Sequence, residues 1–166
     1  MPVWTAATPD KTAGNSARML RSIQSMHHVP KIPPIFIVDD SPDDLFFTRT
    51  LLTKARVENP VVCFDGAEVA MNFLECAVAG KGTMPLAVFT DLKMHRVNGL
   101  EFLRWIRGRD CLSNLFVAML TGSGEPRDHT AAEALKVNAY LVKYPPAQVI
   151  ADVVHSARVK IPPVTT

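Results

Sequence analysis

An α/β fold, with a parallel sheet covered by helices on both faces, is what this sequence predicts, on three observations. Five short apolar runs of strand length alternate with five amphipathic stretches of helical length. Almost every connection between them is short, so consecutive strands must run parallel through crossover helices. The stretches Ile35–Val38, Leu86–Phe89 and Leu115–Leu120 are apolar at every position, as strands covered on both faces require. Right-handed crossovers follow, and ligands in such sheets sit at the carboxyl ends of the strands, near the point where the strand order reverses.

Residues 1–31 are polar, rich in Thr, Ser and Ala, and interrupted by Pro2, Pro9 and Pro30. Within them Met19, Leu20, Ile23 and Met26 fall at helical spacing beside Arg18 and Arg21. The expectation for this leader is disorder, or a partial helix that docks on a partner. Pro33 and Pro34 then stiffen the approach to the first strand, Ile35–Val38, which ends in Asp39 and Asp40. Ser41 suits an N-cap and Pro42 the first helical position. The helix from Asp43 to about Ala55 repeats Leu45, Phe46, Leu51 and Leu52 at helical spacing. Asp43 and Asp44 read as first-turn acids favoured by the helix dipole, not as ligands.

Asn59-Pro60 breaks the chain before the second strand, Val61–Phe64. Asp65-Gly66 turns into a helix carrying Val69, Ala70, Phe73, Leu74 and Ala77, which ends near Gly80 and Gly82. The third strand, Leu86–Phe89, runs on through Thr90 to a single carboxylate, Asp91. Gly99 opens a third helix with Leu100, Phe102, Leu103 and Ile106 inward. Leu115–Leu120 delivers Thr121 just past its end, and Gly122-Ser123-Gly124 is a backbone-exposing turn. A weakly amphipathic helix from about Pro126 to Lys136 leads to the fifth strand, Asn138–Val142, which ends at Lys143. After Tyr144-Pro145-Pro146 the last helix, Val149–Val159, turns Ile150, Val153 and Val154 inward.

With 166 residues the chain is sized for one domain with flanking segments. The expected division is a leader at 1–31, a folded domain at 32–160 and a short tail at 161–166. A net charge of +2 is too small to argue for nucleic acid or a membrane surface. Cys63, Cys76 and Cys111 are unclustered and lack metal spacing, so they read as reduced thiols. No apolar stretch approaches the roughly 20 residues needed to cross a bilayer, and the N-terminus lacks the apolar core of a secretory signal. A cytoplasmic location is expected.

Asp39, Asp40, Asp91, Thr121 and Lys143 all follow apolar runs, so the fold gathers them at one edge of the sheet. Three converging carboxylates repel one another unless positive charge sits between them. Mg²⁺ meets that need, since it takes oxygen ligands and usually keeps waters or phosphate oxygens as well. Lys143 adds a compact cation and Thr121 a hydroxyl donor. Together these form the set that holds a phosphoryl group during in-line transfer. One carboxylate can itself act as nucleophile, giving an acyl phosphate.

Four motifs in order carry a resemblance: Ile35-Phe36-Ile37-Val38-Asp39-Asp40, then Asp91 with Gly99, then Leu120-Thr121-Gly122, then Tyr140-Leu141-Val142-Lys143. Across about residues 32–158 the chain resembles the receiver domain of two-component response regulators. The resemblance implies a flavodoxin-like doubly wound sheet of five strands in the order 2-1-3-4-5. It implies Asp91 as phospho-acceptor, with Mg²⁺ held by Asp40, by Asp39 mainly through water, by Asp91 and by the backbone carbonyl of Lys93. Lys143 would pair with phosphoryl oxygens. Thr121 would move toward the phosphate and Tyr140 would swing inward, coupling the modification to a surface. Ser41-Pro42-Asp43-Asp44 and Asn138–Lys143 are most similar to the small receiver-only proteins partnered with phytochrome-type histidine kinases.

Three departures from that pattern stand out. His95 replaces a usual Pro four residues after the acceptor, and reads as an exposed loop residue without a role. Lys93 stands where Asn or Met is frequent; its ammonium over the phosphate would obstruct attacking water and lengthen the modified lifetime. Tyr144 separates Lys143 from the proline that normally follows it through a cis bond. A cis bond to a non-proline residue costs about 3 kcal/mol, so Lys143–Tyr144 is expected to be trans.

The leading expectation is thus a stand-alone response regulator, not an enzyme, modified by a sensor histidine kinase or a phosphotransfer protein. Few residues follow the last helix, so output is expected through protein contact by the face of the fourth helix, fifth strand and last helix, which would also serve homodimerisation, or through relay of the phosphoryl group onward. The alternative is a receiver fold used as an interaction module with weak or lost phosphorylation. An aspartyl phosphohydrolase is rejected because Lys93 stands where its second acid belongs. A nucleotide- or flavin-binding protein is rejected because no Gly-rich cradle follows the first strand.

Overall fold

The apolar runs become strands and the amphipathic stretches helices in the computed structural model, which describes residues 3–5, 32–122 and 124–160. In chain order the elements are β1 (Val3–Thr5), β2 (Ile35–Val38), α1 (Pro42–Lys54), β3 (Val61–Phe64), α2 (Ala67–Val78), β4 (Ala87–Asp91), α3 (Gly99–Arg107), β5 (Phe116–Thr121), α4 (Pro126–Ala134), β6 (Ala139–Val142) and α5 (Ala147–Lys160). The strands form one sheet in the order β1-β3-β2-β4-β5-β6, with every pair parallel. Its five inner and C-terminal strands have the expected order. The sixth, β1, lies along β3 with Val3 opposite Val61, and no pattern in the sequence announced it. The helical reading of Met19–Met26 and the tail at 161–166 lie outside the described residues.

Alternation along each strand separates two cores. Phe36 and Val38 of β2 face one way, with Phe64, Val88, Val117 and Met119, against Leu74 of α2, Phe102 and Ile106 of α3 and Ala132 of α4. Ile35 and Ile37 face the other way, with Phe89, Ala118 and Leu120, against Leu52 of α1 and Ile150 and Val154 of α5. Three helices therefore cover one face and two the other.

The local signal read at Ser41 holds, and a second cap appears that was not read. Ser41 caps α1, its hydroxyl accepting from the Asp44 N–H at 3.3 Å, with Pro42 in the first turn. Asn98 and Glu101 form a reciprocal capping box at α3. One expectation needs correction: the Lys143–Tyr144 peptide bond is cis. Both flanking residues are anchored independently, since the Lys143 N–H donates to the Thr121 carbonyl at 2.8 Å and the Tyr144 hydroxyl donates to Asp44.

Candidate functional site

Strand register levels the tips that carry polar groups. Val38 pairs with Thr90, Asp91 with Leu120, and Thr121 with Val142. Asp39 follows β2, Asp91 closes β4, Thr121 closes β5, and Lys143 stands one residue beyond β6. The Lys143 N–H bond to Thr121 continues the ladder by one rung and points the side chain back across the edge. Its ammonium then meets three carboxylates: Asp39 Oδ2 at 2.8 Å, Asp44 Oδ2 at 2.6 Å and Asp91 Oδ1 at 2.7 Å. An ammonium has an N–H for each of them.

The electrostatics follow from burial. Burial pushes the Asp39 carboxyl up to about 6, although Lys143 and the Ser41 N–H at 2.9 Å both oppose it. Burial also lowers the Lys143 ammonium, but its bonds to Asp39, Asp44 and Asp91 outweigh this and hold it above its ordinary value. For Asp44, burial is outweighed by Lys143 and by the Tyr144 hydroxyl on its other oxygen, leaving the carboxyl below its usual range. That same bond pushes the Tyr144 phenol up to about 12, so Tyr144 is a neutral donor.

The second oxygen of Asp91 accepts from the Lys93 N–H at 2.6 Å. Lys93 sends its ammonium across the mouth of the cleft to Glu125 at 3.3 Å. The cleft, about 510 Å³, is lined by Asp44, Asp91, Lys93, Gly122, Lys143 and Tyr144. Against the Asp91 backbone a glycine is compulsory: a Cβ on Gly99 would stand 2.2 Å from the Asp91 carbonyl oxygen. Thr121 is fully buried. The Tyr140 hydroxyl is shielded from solvent, its phenol raised first by burial and then by Asp128, with the Thr121 hydroxyl acting against them.

Asp39, Asp91 and Lys143 thus come together as their strand-end positions imply, and Thr121 stands beside them through its carbonyl, which accepts the Lys143 N–H. Asp40 does not join the ammonium. Its Oδ2 accepts the His95 N–H at 2.7 Å and meets the His95 ring Nδ1 as well, so His95 is engaged rather than idle. Asp44 and Tyr144 were missed as site residues. The signals were present, in acids beyond the capping serine and an aromatic residue where proline is usual, but each admits a bland reading by itself.

The donor chemistry suits a hard divalent cation, because carboxylate oxygens of Asp39, Asp44 and Asp91 converge on one point with a single ammonium among them. Among the described residues no group of three His, Cys, Asp or Glu side chains is already set to hold a metal ion; Lys143 stands among Asp39, Asp44 and Asp91.

Comparison with known proteins adds three findings. The response regulator receiver domain family matches residues 35–155. Among curated proteins, the two-component response regulator ORR1 of Oryza sativa subsp. japonica is 30% identical over 95 residues, covering 56% of this chain and 41% of ORR1. The chain therefore spans less than half the length of that relative. Response regulator Rcp1 of Synechocystis is 28% identical over 115 residues, covering 69% of this chain and 77% of Rcp1. Among solved structures, the bacteriophytochrome response regulator AtBRR has a TM-score of 0.68 at 34% identity, covering 78% of this chain and 95% of AtBRR.

Proposed function

Because the chain belongs to the response regulator receiver domain family, matched over residues 35–155, we propose that it is a phosphorylation-dependent signalling switch with Asp91 as acceptor. The observation that carries this reading is the ammonium of Lys143 held by carboxylates from two strand tips, Asp39 and Asp91. A buried cation at that point is placed to receive the oxygens of a phosphoryl group arriving on Asp91. The donor is the phosphohistidine of a sensor histidine kinase or a phosphotransfer protein. An Asp91 oxygen attacks phosphorus in line, the P–N bond breaks, and the imidazole leaves neutral with its proton on the other nitrogen.

A magnesium ion held by Asp39, Asp40, Asp91 and the Lys93 backbone carbonyl would supply charge neutralisation for the phosphoryl oxygens. Lys143 then exchanges a carboxylate for a phosphoryl oxygen, and Thr121 offers its hydroxyl to another. Thr121 closes β5 beside β6, where Met119 pairs with Tyr140 and Thr121 with Val142, so a shift of Thr121 toward the phosphate is transmitted to Tyr140. Tyr140 lies in β6 against the His129 ring of α4, with centroids 4.8 Å apart, which links the cleft to the face of α4, β6 and α5. That face is the proposed output surface, including for a second copy of the chain. The protein acts as a switch rather than an enzyme, in the cytoplasm. Likeness to a bacteriophytochrome response regulator favours a phytochrome-type kinase as donor.

One observation favours a second reading, an interaction module with weak phosphorylation: Asp40 is engaged by His95. Acetyl phosphate with Mg²⁺, read by intact mass, separates the two. The switch reading expects one phosphoryl group on the parent and none on Asp91→Asn. An unlabelled parent overturns it.

A further inference from the structure

Lys143 has as many N–H bonds as carboxylate partners, and the shortest of the three contacts goes to a residue outside the strand tips. Asp44 Oδ2 lies 2.6 Å from the ammonium. Asp44 sits in the first turn of α1 and lines the cleft beside Asp91. Its other oxygen accepts from the Tyr144 hydroxyl, and the Tyr144 ring is set in turn by Phe47 of the same helix, with centroids 5.2 Å apart. Each oxygen of Asp44 thus has a fixed donor, so the carboxylate is held in place rather than free to swing into solvent. Its neighbour Asp43 carries the same charge in the same turn but is exposed, and no bond joins it to Lys143 among those of the described residues.

We propose that Asp44 is a built-in rival of the phosphoryl group, positioned by Tyr144, which occupies the Lys143 N–H that a phosphoryl oxygen on Asp91 needs. The proposal rests on Asp91 being the acceptor, as argued above. A phosphoryl donor entering the cleft must displace Asp44 from the ammonium and remain beside its negative charge, and both demands oppose binding. Asp44 and Tyr144 are positioning residues, since they act through Lys143. They set how much donor is needed, while the attack by Asp91 is unchanged.

The test is the dependence of labelling rate on acetyl phosphate concentration at saturating Mg²⁺, read by intact mass. In that reaction the Asp91 oxygen forms a bond to phosphorus, the phosphorus–oxygen bond to the acetyl group breaks, and acetate leaves with the electron pair. Asp44→Asn should lower the half-saturating donor concentration by about threefold or more, with the maximal rate little changed. Tyr144→Phe, which leaves the charge but loosens its hold, should move the same constant the same way by less. Asp43→Asn should leave it in place. If Asp44→Asn leaves the constant unchanged or raises it while the parent labels, the proposal falls and the acceptor reading stands. Equal shifts in Asp44→Asn and Asp43→Asn would reduce the effect to bulk charge and also overturn it. A parent that does not label removes the acceptor reading, and this proposal with it.

Discussion

Lys143 is the residue on which the charge balance of the cleft turns. Its side chain is 8% exposed, against 5% for Asp39 and 8% for Asp91, so solvent screens these pairs little. Lys143→Met leaves the acids buried without their counter-charge. In magnesium-free buffer it should cost about 3 kcal/mol in urea unfolding; an unchanged midpoint would show that the acids are neutralised some other way. Lys93 is the opposite case, with both it and Glu125 60% exposed across the cleft mouth. There the bond contributes little to stability, and the ammonium is free to stand over a phosphoryl group. Acyl-phosphate decay should be faster in Lys93→Asn, and equal or slower decay refutes this role. At this scale the sequence is legible where chain position decides: Asp39, Asp91 and Thr121 each end a buried run, and Lys143 follows an apolar one. Asp44 was not legible, because its turn toward Lys143 depends on where α1 sits over the sheet, and a first-turn acid has an adequate local explanation.

Among the elements, α3 is the one that most constrains the site. It begins at Gly99, whose N–H donates to the Leu92 carbonyl at 2.9 Å. There is no room for a methyl group beside the Asp91 carbonyl, and the obstructing atoms are backbone. Gly99→Ala should therefore lose about 2 kcal/mol and slow labelling of Asp91, whereas Gly122→Ala meets no atom within 4 Å and should do far less. Urea unfolding of the pair checks this, and equal losses would refute the steric account. The cap of α1 was readable because Ser41 acts within one turn, and the Asn98 cap of α3 was missed although its signal is as local. β1 was not readable, since Val3–Thr5 is too short to show a period, and its pairing with β3 is a tertiary choice.

For the molecule as a whole, the parallel sheet and the helices on both its faces follow from apolar runs that alternate with helices, whereas the strand order came only with the resemblance to receiver domains and left out β1. The outcome for Lys143–Tyr144 was not legible, because local preference points to trans while distant partners, Thr121 and Asp44, hold both residues. A ligand that binds only the folded state raises its stability, by about 2.7 kcal/mol at a hundredfold excess over Kd. Beryllofluoride with Mg²⁺, a phosphoryl mimic, should raise the melting temperature of the parent and not of Asp91→Asn; no shift in the parent would favour the interaction module. One further consequence belongs to β6, which among the described residues pairs with β5 alone and is only half-covered along its length. The lysine rides on this margin of the sheet, and its grip on Asp39 and Asp91 bolts the margin to the centre. Anything that supplies those aspartates with a different cation slackens the bolt, so amide exchange along Ala139–Val142 becomes a gauge of what the acids are holding.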